Sequence, residues 1–313
     1  MDMKVEVAKR KIVVGKGRDG NVSTIQEALN LCTGEEGHVQ INILSGEYRE
    51  NLFIYQSNLT LCGIGDVNIV SGRYARELDQ NGVEIGTFQT ATVFINAENV
   101  VMSNLTITND AGPGEKVGQA VAMYSEGDRV SFNNCRFKGY QDTICLGPLP
   151  DLQKTGLPFS TPELKNHFES KRSEFTHCMI EGTVDFIFGG GEAVFRQCEI
   201  KSLKRPNQDE SFISAASTPE GQVRGLLFEE CYITAEEGTG NVYLGRPWRA
   251  YGKTIFSRCL MGSHLHPDRW DDWEDPANRL TTTYVEDRND YERLKDITIP
   301  DWITFIPKEQ NEK

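Results

Sequence analysis

No stretch of this 313-residue chain approaches the roughly 18 consecutive apolar residues of a membrane-spanning helix, which excludes such an anchor within it. The opening residues, Met1 to Arg10, are charged and carry no apolar core, so no secretory signal is read there. The expectation is an intracellular protein in the form given, or a secreted one whose leader has been removed. Positive charge is in short supply: 33 lysines and arginines against 46 aspartates and glutamates leave a net charge of −13, which argues against nucleic acid and anionic membranes as partners. Histidine is scarce, and the five present (His38, His167, His177, His264 and His266) show no ligand spacing, so no metal site is expected. The glycine-rich run Gly15 to Gly20 lacks the Ser/Thr-bearing helix start of a phosphate-binding loop and reads as a turn. Helical periodicity is nearly absent. Its exception runs from Ser23 to Cys32, with Ser23 or Thr24 as N-cap and apolar residues at 25, 28, 29 and 32.

What the chain has instead is a repeat. The frame F-x-x-C-x-[FIM] occurs five times, at Phe132–Phe137, Phe175–Ile180, Phe195–Ile200, Phe228–Ile233 and Phe256–Met261, and a weaker copy at Met102–Ile107 puts Leu105 in the cysteine slot. Eight cysteines could form a disulfide framework, but five of them (Cys135, Cys178, Cys198, Cys231 and Cys259) fall in that one slot. Buried free thiols acting as small core hydrophobes are therefore expected. Each copy is short, rich in β-branched and aromatic residues, and bounded by Gly, Asn or Asp, which are strand signals. Copies begin 20 to 43 residues apart, too irregularly for helical repeats of fixed period.

Variable connections between a repeated strand fit an all-β parallel β-helix. It would be a single domain over 1–313, with long loops leaving its corners and equal positions of the repeat stacked inside. The helix at 23–32 would cap the open end and cover its edge strand. The acidic segment from Asp271 to Lys313 is expected to pack along the outside, with 291–313 as its tail.

Two copies of the frame continue in step into an aspartate. Phe132 to Ile144 aligns without a gap on Phe175 to Ile187, giving F-x-x-C-x-[FI]-x-G-x-x-D-x-I and matching Asp142 to Asp185. On successive coils the two would sit about 5 Å apart, one strand spacing. Carboxylates that close do not both ionise at little cost, which makes one an acid beside a base. Aspartate ladders at coil corners can also be structural. Gln119, Gln141 directly before Asp142, and Arg246 supply amide donors and a cation to the same neighbourhood.

With these motifs the chain resembles the pectin methylesterases, carbohydrate esterases built on a right-handed parallel β-helix. The likeness runs from about Val13 to about Asp290. It rests on Gly46 to Glu50, Gln119 to Ala122, Gly139 to Thr143, Gly182 to Gly189 and Leu244 to Trp248. The resemblance implies hydrolysis of galacturonate C6 methyl esters in pectin or oligogalacturonides, by a monomer needing neither cofactor nor metal. It implies Asp185 as nucleophile, Asp142 as acid and then base, and Gln119 and Gln141 as oxyanion donors. Arg246 would orient Asp185 and lower its pKa, while Trp248, Phe188, Tyr140 and Val184 would line the sugar cleft.

The chain departs from its relatives in two places. The interval from Phe132 to Phe175 is 43 residues against 20 for the next, and the extra stretch, roughly Leu146 to Lys171, reads as a protruding loop leaving from beside the aspartates. Cys145 stands where relatives commonly have tyrosine, so an aromatic contact of the cleft would be missing. Two rival functions stay open: a β-helix glycosidase, since carboxylates about 5 Å apart also suit retention, and an esterase acting on a non-pectin ester.

Overall fold

The phenylalanine frame builds the spine of the molecule, seen in a computed structural model that describes residues 8–308 apart from 18–19, 207–208 and 293–298. Most of the charged opening segment, Arg18 and Asp19 of the glycine-rich run, and the end of the tail lie outside the described residues. Strands Asp128–Asn133, Arg172–Thr176, Glu192–Arg196, Leu226–Glu229 and Lys253–Ser257 pair in parallel, with each Phe opposite the next. Phe132, Phe175, Phe195, Phe228 and Phe256 stack at centroid separations of 4.6, 4.5, 4.6 and 4.4 Å. That separation is the strand spacing itself, so the ladder brings flat rings into contact without further adjustment. The chain is thus a parallel β-helix.

Each frame turns a corner at its third residue. Asn134, His177, Gln197, Glu230 and Arg258 all have φ between 51° and 55°, the left-handed region. The conformation costs roughly 1–2 kcal/mol for a residue with a Cβ. A hydrogen bond from the bent residue's N–H to the next coil offsets it, as from His177 to Arg196 O at 3.1 Å and from Gln197 to Glu229 O at 3.0 Å.

The cysteine slot follows this corner. All eight cysteines are free. The Cys178, Cys198, Cys231 and Cys259 thiols each face the carbonyl of the Phe one coil back, at 3.3 to 3.4 Å. A thiol fills this space as a hydrophobe while acting as a weak donor. One coil further on the same place is taken by Asn289, whose Nδ2 donates to Phe256 O at 3.0 Å. There Glu286 stands opposite Phe256. The repeat therefore runs one coil past its last legible copy, in polar residues.

Three ladders enclose the core. The second joins Thr106–Asn109, Arg136–Lys138, Met179–Gly182, Glu199–Ser202, Tyr232–Ala235 and Leu260–Met261. The third, the site sheet, has seven short strands: Leu52–Ile54, Val93–Ile95, Met123–Ser125, Ile144–Leu146, Ile187–Gly189, Ser211–Ala216 and Val242–Pro247. Its middle positions form a file on the outer face, Phe53, Phe94, Tyr124, Cys145, Phe188, Ala215 and Arg246, each paired to the next.

Helix α1 (Ile25–Leu31) is capped by the Thr24 hydroxyl, which accepts from the Glu27 N–H. It buries Ile25, Ala28 and Leu29 over the first coils, as expected. The glycine-rich run closes on itself, with Gly15 N–H donating to Val22 O at 3.0 Å. The C-terminal segment departs from expectation. It does not pack along the outside; Thr283–Asp287 pairs with Lys253–Ser257, and Thr304–Ile306 pairs with Thr283–Asp287, so the tail adds rungs to the stack. Stacking covers the edge of the last Phe-bearing coil, which an outside path would leave open.

Candidate active site

Asp142 and Asp185 sit two residues before the paired strands Ile144–Leu146 and Ile187–Gly189, where Ile144 meets Ile187. The Asp142 N–H donates to Val184 O at 3.0 Å and the Ile144 N–H to Phe186 O at 2.9 Å, so the two turns are stacked in register. Both aspartates are left-handed, at φ 67° and 49°, and both are 8% exposed. Asp tolerates this conformation better than most side-chain-bearing residues. Thr143 holds the first turn, its buried hydroxyl donating to Glu181 O at 3.0 Å.

The two carboxyls differ in their partners. Arg246 forks onto Asp185, Nε to Oδ1 at 2.8 Å and Nη2 to Oδ2 at 2.7 Å. No described cation pairs with Asp142 in this way. Burial first, and then the charge of Asp185, push the Asp142 carboxyl well above the usual carboxylate range, with Arg246 offsetting part of the rise. Burial also raises Asp185, and it outweighs the opposing hydrogen bonds and charge of Arg246 and the charge of Arg205. The sequence expectation of a lowered Asp185 therefore fails, because the arginine only compensates part of what burial costs. Asp142 has the neighbouring carboxylate and no such fork, which makes it the better proton holder of the two.

A cleft of about 480 Å³ opens over this pair, lined by Gln119, Gln141, Asp142, Asp185, Arg246, Phe188 and Trp248 among others. Gln141 is seated against the N-terminal residue of the short helix α2 (Gly114–Val117); a Cβ on Gly114 would lie 2.4 Å from its Oε1. Two further residues expected at the cleft have other neighbours. Tyr140 faces a neighbouring depression with Glu115, Thr183 and Arg205, and Val184 packs with Phe212 and Tyr243.

Several cleft residues were not singled out from the sequence. Phe88 comes from a 3₁₀ turn (Thr87–Thr90) and packs against Tyr124 at 5.6 Å and Phe188 at 6.3 Å, the residues flanking Cys145 on the file. It supplies an aromatic surface beside the position where Cys145 lacks one. Phe159 and Ser160 come from the extra loop, and Phe159 meets Phe88 at 5.2 Å and Trp248 at 5.9 Å. Trp273 lies at the start of the segment expected to run outside. Isolated aromatics in irregular chain carry no periodic signal, which is why the sequence hid them.

The extra loop does not protrude. The Leu152 carbonyl accepts from Arg249 at 3.1 Å, and the Glu163 carbonyl accepts from the Tyr55 hydroxyl at 3.1 Å. Asn96 Oδ1 takes the N–H groups of Lys165 and Asn166, both at 2.8 Å. The loop thus lies back across the site sheet toward its first strands.

Comparison with known proteins follows the same lines. The pectinesterase family profile matches residues 11–147 and 165–308. The chain belongs to the pectinesterase family. It is 31% identical over 289 residues to Pectinesterase 2 of Citrus sinensis, covering 90% of this chain and 51% of that protein. It therefore spans about half the length of that relative. A solved pectin methylesterase in complex with a hexasaccharide is 26% identical, with a TM-score of 0.78 over 96% of this chain and 93% of that one. The carrot pectin methylesterase shares the fold at a TM-score of 0.79, with 24% identity and coverage of 98% and 90%. Residues 148–164, which the pectinesterase profile leaves unmatched, fall inside the loop laid across the site sheet.

Proposed function

We propose that this pectinesterase hydrolyses the C6 methyl esters of galacturonate in pectin or oligogalacturonides, releasing methanol and leaving a free carboxylate. The observation that carries the reading is the unequal pair: equivalent aspartates on adjacent coils, one forked by Arg246 and the other not, in one cleft with Gln119 and Gln141. The solved relative bound to a hexasaccharide supports a sugar-chain substrate.

Asp185, held ionised by Arg246, attacks the ester carbonyl carbon. The Gln119 and Gln141 amides donate to the oxygen that becomes negative, an interaction of about 3–4 kcal/mol for one such donor. The bond to the methoxy oxygen breaks, and Asp142 gives that oxygen its proton, so methanol leaves and a mixed anhydride joins Asp185 to the substrate. Asp142, now a carboxylate, takes a proton from water while the water oxygen attacks the anhydride. Asp185 departs as a carboxylate and Asp142 is again protonated. Trp248 and Phe188 offer apolar faces for sugar rings. The loop over the sheet, with Phe159 against Phe88 and Trp248, favours short oligogalacturonides over long polymer.

Methanol release from highly methylated pectin, followed alongside new reducing ends and unsaturated products, tests the reading. Methanol without chain cleavage from the wild type, and none from Asp185→Ala, is the expected outcome. Reducing ends without methanol would move the aspartates to glycosidic chemistry, and no product at all would point to another ester.

A further inference from the structure

The side chain that orients Asp185 is itself held on both faces. The Arg246 guanidinium carbon lies 3.8 Å from the Phe212 ring centroid and 3.9 Å from that of Trp273. Behind Phe212 the column continues: Tyr243 stacks on it at 5.1 Å and 12°, and His266 stacks on Tyr243 at 4.3 Å and 19°. Four aromatic rings and one guanidinium form a single pile. Phe212 and Tyr243 are paired residues of adjacent strands, so this side of the pile is fixed by the site sheet.

The other side is built at a cost. Trp273 and Glu274 are consecutive left-handed residues, at φ 61° and 58°. The Asp271 carboxylate accepts from the Trp273 N–H at 2.8 Å and holds that turn. Two such residues in sequence are disfavoured unless surrounding structure demands them. Here they deliver an indole onto Arg246 at the cleft wall.

A guanidinium is planar, and its fork matches a carboxylate only when the two planes agree. With a ring on each face, Arg246 cannot rotate out of the plane in which Nε and Nη2 reach both oxygens of Asp185. The pair is largely buried, which strengthens it relative to one in open solvent. We propose that Phe212 and Trp273 are positioning residues, a two-sided aromatic clamp that aims the nucleophile through Arg246. This inference rests on the roles given above to Asp185 and Arg246.

The test is a set of double-mutant cycles on kcat and KM for methanol release from fully methylated pectin, using Phe212→Leu, Trp273→Leu, Trp273→Phe and Arg246→Lys. Phe212 does not line the cleft, so Phe212→Leu should lower kcat about 10-fold or more while KM stays within about twofold. Trp273 also lines the cleft, and Trp273→Leu should lower kcat and raise KM. Trp273→Phe, which keeps a ring over the guanidinium, should restore most of kcat. In the Arg246→Lys background, with no planar group left to clamp, adding Phe212→Leu should cost less than about twofold. Trp273→Leu and Trp273→Phe differ only at a partly exposed ring, so they carry the test if Phe212→Leu does not fold. Losses that multiply regardless of residue 246, or full activity in both leucine variants, would overturn the clamp. Wild-type rates in Arg246→Lys would instead overturn the role of Arg246 itself, and the clamp with it.

Discussion

Asp142 and Asp185 are the same residue in the same turn, and what separates them is a single arginine. Asp142 lies buried beside a second carboxylate, and its pKa is well above the ordinary value. The folded state therefore holds that proton more tightly than the unfolded chain does. Stability falls as pH rises from the unfolded pKa, about 3.9, to the raised folded one. Asp142→Asn removes the titration. Its melting temperature should exceed that of the wild type by a margin that widens as pH rises above about 4, while methanol release collapses. A margin independent of pH would contradict this account. Gly114 gives a second residue-scale prediction. Gly114→Ala puts a methyl 2.4 Å from Gln141 Oε1 and should lower kcat, by less than the ~10²-fold expected for Gln141→Ala. Both aspartates and Gln141 were legible in the sequence, since repeat and motif place them. The raised pKa of Asp185 was not, because burial is a property of the stacked coils and cannot be read from a neighbouring charge.

At the scale of one coil, the frame F-x-x-C explains itself in three contacts: a stacked ring, a left-handed corner and a thiol against the previous carbonyl. Phe195 lies in mid-stack, between Phe175 at 4.5 Å and Phe228 at 4.6 Å. Phe195→Ala opens a cavity touching both neighbours and should cost about 3–5 kcal/mol in chemical denaturation. A loss under about 1 kcal/mol would mean the coils collapse onto one another more readily than close packing allows. The five cysteine-bearing copies were visible because they are apolar. The next was not, because Glu286 and Asn289 take the Phe and Cys places. Glu286 is fully buried there, accepting from Arg269 at 2.9 and 3.0 Å and from the Trp270 indole at 2.8 Å. A search for hydrophobic recurrence stops where the core switches to a satisfied polar pair.

For the molecule as a whole, the loop is what sets this chain apart from the family profile. It touches the start of the site sheet at Tyr55 and Asn96 and its far end at Arg249, so it spans nearly the whole face. Replacing 148–164 with a short linker should raise the rate on long, methylated pectin relative to a methylated trimer. Parallel assays of methanol from both substrates check this, and an unchanged ratio would remove the loop from substrate selection. The loop's existence was legible from the long interval between repeats. Its path was not, since it is fixed by side-chain contacts such as those of Asn96 that follow no period.

The register on either side of that loop has a further meaning. Ile144 to Leu146 pairs with Ile187 to Gly189 just before it leaves, and Ser173 to Thr176 pairs with Val130 to Asn133 just after it returns. The excursion neither shifts nor interrupts the ladders. Chain length at this corner is thus uncoupled from the register that places Asp142 and Asp185, and the loop behaves as an exchangeable cassette. A segment of another length and composition could be grafted there to give a new substrate preference, with Asp142, Asp185 and Arg246 left where they stand.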